Sequence, residues 1–274
     1  MKSPSTTKAW QACIAGKGLA LGLENCRVFL ENKYLNDVFF EGTFKGRPCV
    51  VKCSSKCPWS IGNEYRVGRR LFEIAPDVVP EPLVWNEAPA FVAIEKVQGP
   101  SLTELLTHGV TEAMADVFAA DIVRMARALL AAGVVHRDVF SDNLLLGADG
   151  HLKLIDMQLS IDRSDMREDP WIERHWKYHY VVFGARRDMG LGVWNDVGAF
   201  RSLLARLPHT AGVAAADGQL AKDEAAATLS APPRGLTLFK LWMYALSLRV
   251  QMAFARNRPE KRARLERRFR KIIG

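Results

Sequence analysis

Five side chains carry the chemistry that this sequence suggests: Lys52, Glu64, Asp138, Asn143 and Asp156. His136-Arg137-Asp138 is followed by Asn143 in the spacing H-R-D-x-x-x-x-N, and Asp156 comes thirteen residues after Asn143, behind the apolar Leu154-Ile155. Phosphoryl transfer explains the set. An aspartate beside an acceptor hydroxyl orients it and takes its proton, the part open to Asp138. A second carboxylate, Asp156, can hold Mg²⁺ between the phosphates, and the amide oxygen of Asn143 completes the metal shell without adding charge. Any one aspartate here would read as ordinary loop polarity; the ordered set, with a hairpin between Asn143 and Asp156, does not. Upstream, Lys52 ends the apolar run Cys49-Val50-Val51-Lys52, where a lysine can pair the α- and β-phosphates, and Glu64 is its natural helix partner.

These residues need a scaffold, and the chain punctuates itself into one. Arg27–Leu30, Val38–Phe44 and Cys49–Cys53 read as strands, with Lys45-Gly46 as a turn. Pro58 precedes a helical pattern from Ile61 to Ile74. Leu83–Trp85 and Phe91–Val97 read as two more strands, and Gly99-Pro100 closes the strand-rich part. Ser101 and Glu104 have the spacing of a capping box. Thr111–Ala132 repeats apolar residues at helical spacing and ends on Gly133. Leu144–Leu146 and Leu152–Ile155 form a hairpin through Ala148-Asp149-Gly150. The remainder is mostly helical, except that an Ala-rich stretch from about His209 to Pro233 reads as a mobile loop. The expected fold is α+β and bilobal: residues 1–97 a β-rich N-lobe with its leading segment, 98–255 a helical C-lobe with the catalytic loop, and 256–274 a basic tail.

The bulk numbers fit that size. The chain has 274 residues, 49% of them hydrophobic, enough for a two-lobed core. No long charge-free apolar run predicts a membrane span, and Met1–Gly18 lacks the apolar core of a secretory signal, so the expected place is cytoplasmic. Cys49, Cys53 and Cys57 are four apart rather than in C-x-x-C pairs. They read as free reduced thiols, with a metal site as the lesser reading.

With the site residues in this order, the chain resembles the protein-kinase superfamily over roughly residues 27–200, and that resemblance implies ATP as the phosphate donor. Phe91–Val97 is similar to the strand and hinge where adenine binds. By that likeness Ile94 is the gatekeeper, and the backbone of Glu95 and Val97 would bond the adenine edge. The pattern departs at several points. Glu31–Asp37 stands where a glycine-rich loop is expected and holds no glycine, so side chains of Asn32 or Lys33 would take over its work. Asp156-Met157-Gln158 replaces D-F-G, Phe140 stands where Ser/Thr protein kinases carry a lysine, and no A-P-E follows. These losses spare the ATP machinery and fall on the acceptor side. They resemble the bacterial lipopolysaccharide core kinases acting on heptose and Kdo, with Ile172–Trp176 and Arg187–Gly190 similar in layout to the heptose kinases. That resemblance implies a sugar or glycolipid acceptor, with a protein acceptor as the alternative and a pseudokinase scaffold as a third reading. Either Asp188 or Asp196 would brace the catalytic loop.

The net charge of +8 is concentrated at one end: residues 256–271 hold nine basic and two acidic side chains. The apolar, aromatic stretch before them, Leu236–Ala255, is interrupted by Lys240 and Arg249 and reads as a buried or interfacial helix. Each cation is worth about 1 kcal/mol at an anionic membrane. The tail is therefore expected to hold the protein at the inner face of the cytoplasmic membrane, against the alternatives of a solvated helix or a nucleic-acid tail. No aromatic-interleaved basic repeat supports nucleic acid.

Overall fold

The computed structural model describes residues 6–32, 37–164, 193–230, 236–255, 258–263 and 265–266. A five-stranded antiparallel sheet forms the N-lobe. Its strands are β1 (Leu23–Asn32), β2 (Asp37–Phe44), β3 (Arg47–Ser54), β4 (Pro82–Asn86) and β5 (Phe91–Glu95), in the order β1-β2-β3-β5-β4. Strand alternation gives the sheet two apolar faces. Cys49, Val51, Phe91 and Ala93 pack with Phe40 under Trp10 and Ile14, so the first helix, α1 (Thr7–Cys13), and the π-turn after it cover one face. Val92 and Ile94 point the other way, toward Ile61 of α2 (Pro58–Ile74). Lys52 pairs across the ladder with Val92 and so shares the α2 face.

This alternation also explains the cysteines. Cys49 and Cys53 are inward positions of β3, Cys57 caps α2, and none of the five forms a disulfide. Burial pushes the Cys49 thiol up to about 12 and Cys53 well above the ordinary range, so neither is a ready nucleophile or metal ligand.

After β5 the chain crosses to the second lobe through residues 96–100. The connector lies against the hairpin that begins at Leu144 so closely that a Cβ on Gly99 would sit 2.0 Å from the Leu146 carbonyl oxygen, which leaves room only for glycine. Helix α3 (Leu102–His108) opens with the expected reciprocal cap: Glu104 N–H donates to Ser101 Oγ at 3.3 Å and Ser101 N–H to Glu104 Oε2 at 2.7 Å. Helix α4 (Glu112–Ala131) carries the C-lobe core on Phe118, Ile122, Met125 and Leu129. Behind it come β6 (Val134–Val135), the hairpin β7 (Leu144–Leu146) and β8 (Leu152–Leu154), β9 (Ile161–Asp162), β10 (Val193–Trp194) and α5 (Asp196–Leu204). The α+β, bilobal expectation is met.

One element overturns its expectation. The Ala-rich stretch is not a loop: residues Ala211–Ala227 form α6, capped by Thr210 and followed by β11 (Leu229–Ser230). Alanine is the strongest helix former. Val213, Ala216, Leu220 and Ala227 bury one stripe of α6 against the C-lobe core, and Arg201 pins α5 to it by a forked bond to Asp217, at 2.7 and 3.1 Å, and a 2.7 Å bond to Glu224. Small and polar residues are spread almost evenly around this helix, so only packing defines its buried stripe. The last long helix, α7, runs Leu236–Phe254, inside the stretch expected to be helical. No helix of the described residues is long and apolar enough to cross a membrane.

Candidate active site

The site lies where β3, α2 and the loop around β7 and β8 converge. Lys52 Nζ donates to Glu64 Oε1 at 2.9 Å and to Asp156 Oδ1 at 2.8 Å, so a single ammonium ties the N-lobe sheet, its helix and the C-lobe hairpin together. Burial works against this charge, but the Asp156 and Glu64 carboxylates outweigh it and hold the lysine above its ordinary pKa. Burial also raises Asp156, and Lys52 more than reverses that, leaving the carboxylate below its usual range. Glu64, buried among other groups, is raised by desolvation against the pull of Lys52.

Asn143 and Asp138 are joined directly. Asn143 Nδ2 donates to the Asp138 carbonyl at 2.8 Å and to Asp138 Oδ2 at 3.2 Å, which leaves the amide oxygen as the acceptor end of Asn143. Burial, together with the nearby Asp156 charge, raises Asp138 above the ordinary aspartate range. His136 fixes the loop below: its Nδ1 accepts the Asp138 N–H at 3.2 Å and its Nε2 bonds the Ile155 carbonyl at 3.0 Å, which places the ring proton on Nε2.

The bracing aspartate is Asp196, at the first turn of α5. Its Oδ2 accepts the His136 N–H at 2.6 Å and its Oδ1 the Arg137 N–H at 3.0 Å. Asp188, the other candidate, lies outside the described residues. Arg137 is buried at φ 68, with Nε on the Leu159 carbonyl at 2.7 Å and its guanidinium over Trp194 at 5.3 Å. Its left-handed backbone, and that of Asp156 at φ 71, mark the two turns the surrounding bonds hold in place. Replacing Asp196 by Ala orphans two buried N–H donors at about 1–3 kcal/mol each. We expect urea unfolding to show a loss of about 2–4 kcal/mol; a loss under about 0.5 kcal/mol, the level of a surface substitution, would mean water replaces the carboxylate.

Sequence reasoning missed two residues. Asn63, next to Glu64 on α2, donates to the Ser160 carbonyl at 2.8 Å and to those of Met157 and Gln158 at 3.3 Å. This clamp holds the segment after Asp156, where D-F-G would put its phenylalanine. Nothing in the local sequence distinguishes Asn63 from an exposed helix asparagine. The other is Asp37, the first residue of β2, which is 3% exposed with Oδ1 lacking any partner among the described residues. Burial pushes its carboxyl up to about 6, with Asp156 adding to the rise and Ser54 and Lys52 opposing it. The sign follows from linkage: a raised folded pKa gives stability that is full below about 3.8 and is lost as pH rises through about 6. Asp37→Asn should therefore stabilise the protein at pH 7 by at most about 3 kcal/mol, with the gain shrinking toward pH 4. Destabilisation at pH 7 in urea titrations would show that the carboxylate is ionised and paired instead.

Of the remaining expected residues, Ile94 is buried on the α2 face of the sheet with Ile61 and Val92. The Glu95 N–H already donates to the Glu81 carbonyl at 2.8 Å, so of its backbone groups only the carbonyl is left for an adenine edge. Val97 follows Lys96, whose N–H bonds Pro48 at 3.1 Å. Asn32 is described by its backbone alone, and Lys33, Ile172–Trp176 and Arg187–Gly190 lie outside the described residues. A divalent cation suits the donor set: one carboxylate and one amide oxygen are hard ligands, and Mg²⁺ sites commonly take one or two carboxylates plus phosphate oxygens and water. No cluster of three or more His, Cys, Asp or Glu side chains suited to a metal occurs among the described residues.

An antiparallel sheet and a helical lobe, with Lys52, Asp138 and the β7–β8 hairpin where they meet, define a protein-kinase-like protein. The RIO domain model matches residues 37–184, more than half the chain, and the chain belongs to the RIO domain family, an atypical protein-kinase-like family. The chain is also similar to the serine/threonine-protein kinase STE20 of Debaryomyces hansenii, 33% identical over 115 residues, which is 38% of this chain and 10% of that one. STE20 of Eremothecium gossypii is 40% identical over 115 residues, 38% of this chain and 11% of its own length. CST20 of Candida albicans is 40% identical over 67 residues, 24% of this chain and 6% of its own. The chain spans about a tenth or less of these curated relatives. Neither the family nor these relatives carries the likeness to the lipopolysaccharide core kinases.

Proposed function

We propose that this chain is an ATP-dependent phosphotransferase that moves the γ-phosphate of ATP onto a hydroxyl. The observation that carries the reading is the Lys52 ammonium bonded at once to Glu64 and Asp156, beside an Asp138–Asn143 pair. In this reading Lys52 holds the α- and β-phosphates, and Glu64 fixes the direction of its ammonium. Ile94 walls the adenine pocket, with the Glu95 carbonyl and Val97 backbone at the adenine edge. Asp138 orients the acceptor hydroxyl and takes its proton; its raised pKa makes it a better base than an exposed aspartate. Asp156 and Asn143 would hold Mg²⁺, which when bound neutralises charge on the phosphates. Residues 1–97 form the nucleotide-side lobe, 98–255 the acceptor-side lobe and 256–274 a separate basic tail.

The relatives' names, serine/threonine-protein kinases, favour a protein hydroxyl as acceptor. A different observation favours a sugar or glycolipid: Phe140, two residues beyond Asp138, is 49% exposed and offers a ring face where a lysine would otherwise meet a peptide. Incubation with labelled ATP and Mg²⁺ against a cell lysate and a lipopolysaccharide extract separates the two. Label in protein supports the first, label in the glycolipid or a free sugar supports the second, and bound ATP whose γ-phosphate passes to no acceptor in either mixture removes the phosphotransferase reading.

A further inference from the structure

Helix α7 has two apolar faces. Ala245 and Leu248 are buried on one. On the other, Phe239, Trp242, Met243, Leu246, Val250 and Phe254 are between 42% and 87% exposed. At about 100° per residue these six fall within an arc of about 120°, along a helix of 19 residues. Lys240 lies at one edge of the arc and Arg249 at the other. A stripe of six large apolar side chains in water is unfavourable, and its size marks it as a contact surface.

We propose that this face of α7 lies in the interface of an anionic lipid bilayer, with the helix parallel to the membrane plane. Charge complementarity selects this occupant. The edge cations sit where side chains of an interfacial helix reach the headgroups. The sequence that follows, 256–271, adds nine basic residues against two acidic ones, and within it Arg258 and Lys261 are exposed on the described stretch. A second copy of the chain would bring the same positive charges together, which opposes a dimer through this face. The α7 face shares no residue with the nucleotide site, so failure of either reading leaves the other standing.

The test is co-sedimentation of the full chain with vesicles of phosphatidylcholine alone or mixed with phosphatidylglycerol. The expected result is binding to the mixed vesicles at low salt and weaker binding as salt shortens the range of attraction to about 3 Å at 1 M. Trp242→Ser and Phe254→Ser should each weaken binding about tenfold or more, at low and high salt alike. Phe254 is 87% exposed, so its variant should fold as the parent does. Lys240→Glu should weaken binding to the mixed vesicles and leave binding to neutral ones unchanged. The proposal is overturned if the parent ignores phosphatidylglycerol vesicles at low salt, if the serine variants bind as the parent does, or if those variants turn a dimer into a monomer in light scattering.

Discussion

Asp156→Asn is expected to lower phosphoryl transfer by about 10²–10³ or more, the lower figures being the scale seen when one preorganised group at a developing anion is removed, while leaving the fold intact. The residue sits just after β8 in a left-handed turn, with one oxygen on Lys52 at 2.8 Å. Asparagine keeps the shape and a donor oxygen but removes the charge that a divalent cation needs. Lys52 retains Glu64, so its ammonium is not left unpaired. ATP binding measured by calorimetry should lose its dependence on Mg²⁺, and transfer should be followed with labelled ATP at high enzyme concentration. The variant should also be less acid-sensitive. A depressed carboxylate pKa gives stability that is present above about 3.8 and lost as pH falls through the lower folded value, and asparagine makes no such contribution. Undiminished transfer would remove Asp156 from the metal site.

Asp138→Asn should cut turnover by about 10²–10⁴ with little change in ATP affinity. Asp138 contacts Asn143 through one carboxylate oxygen and makes no bond to Lys52, the residue proposed to hold the phosphates. Its loss removes the proposed proton acceptor and leaves Lys52, Glu64 and Asp156 in place. In the parent, burial and the Asp156 charge raise the Asp138 pKa, so the acid limb of the pH–rate profile should lie above the ordinary aspartate range. That limb should vanish in the asparagine variant. A variant that binds ATP poorly but turns over normally at saturation would move Asp138 to the nucleotide side.

The sequence marked this site because its parts come in a fixed order with short, characteristic spacings. His136 to Asn143 is one loop, and the β7–β8 hairpin fixes the distance from Asn143 to Asp156. Capping at Ser101, the start of α4 after Thr111 and the helix carrying Glu64 were equally legible, because each depends on neighbours within a few residues. The Ala-rich helix α6 is not legible in the sequence, because its small and polar residues are spread almost evenly around the helix and only packing singles out Val213, Ala216 and Leu220.

What the linear pattern did not decide is which distant groups meet. Lys52 bonds Asp156 across 104 residues, and Asp196 reaches back 60 residues to the His136 N–H. Asp188 and Asp196 looked alike until the start of α5 put Asp196 under the catalytic loop. Asn63 gained its role only when α2 met the carbonyls after Asp156, and Asp37 its raised pKa only when the start of β2 was buried. Helix α7 makes the same point about surfaces. Both of its faces are apolar, so periodicity alone cannot tell which is covered. Order along the chain therefore determined the chemistry this protein can attempt, because local spacing fixes residue type and secondary structure. Burial and long-range pairing were decided by the tertiary structure, because desolvation and hydrogen bonding depend on which elements pack together rather than on where they stand in the chain.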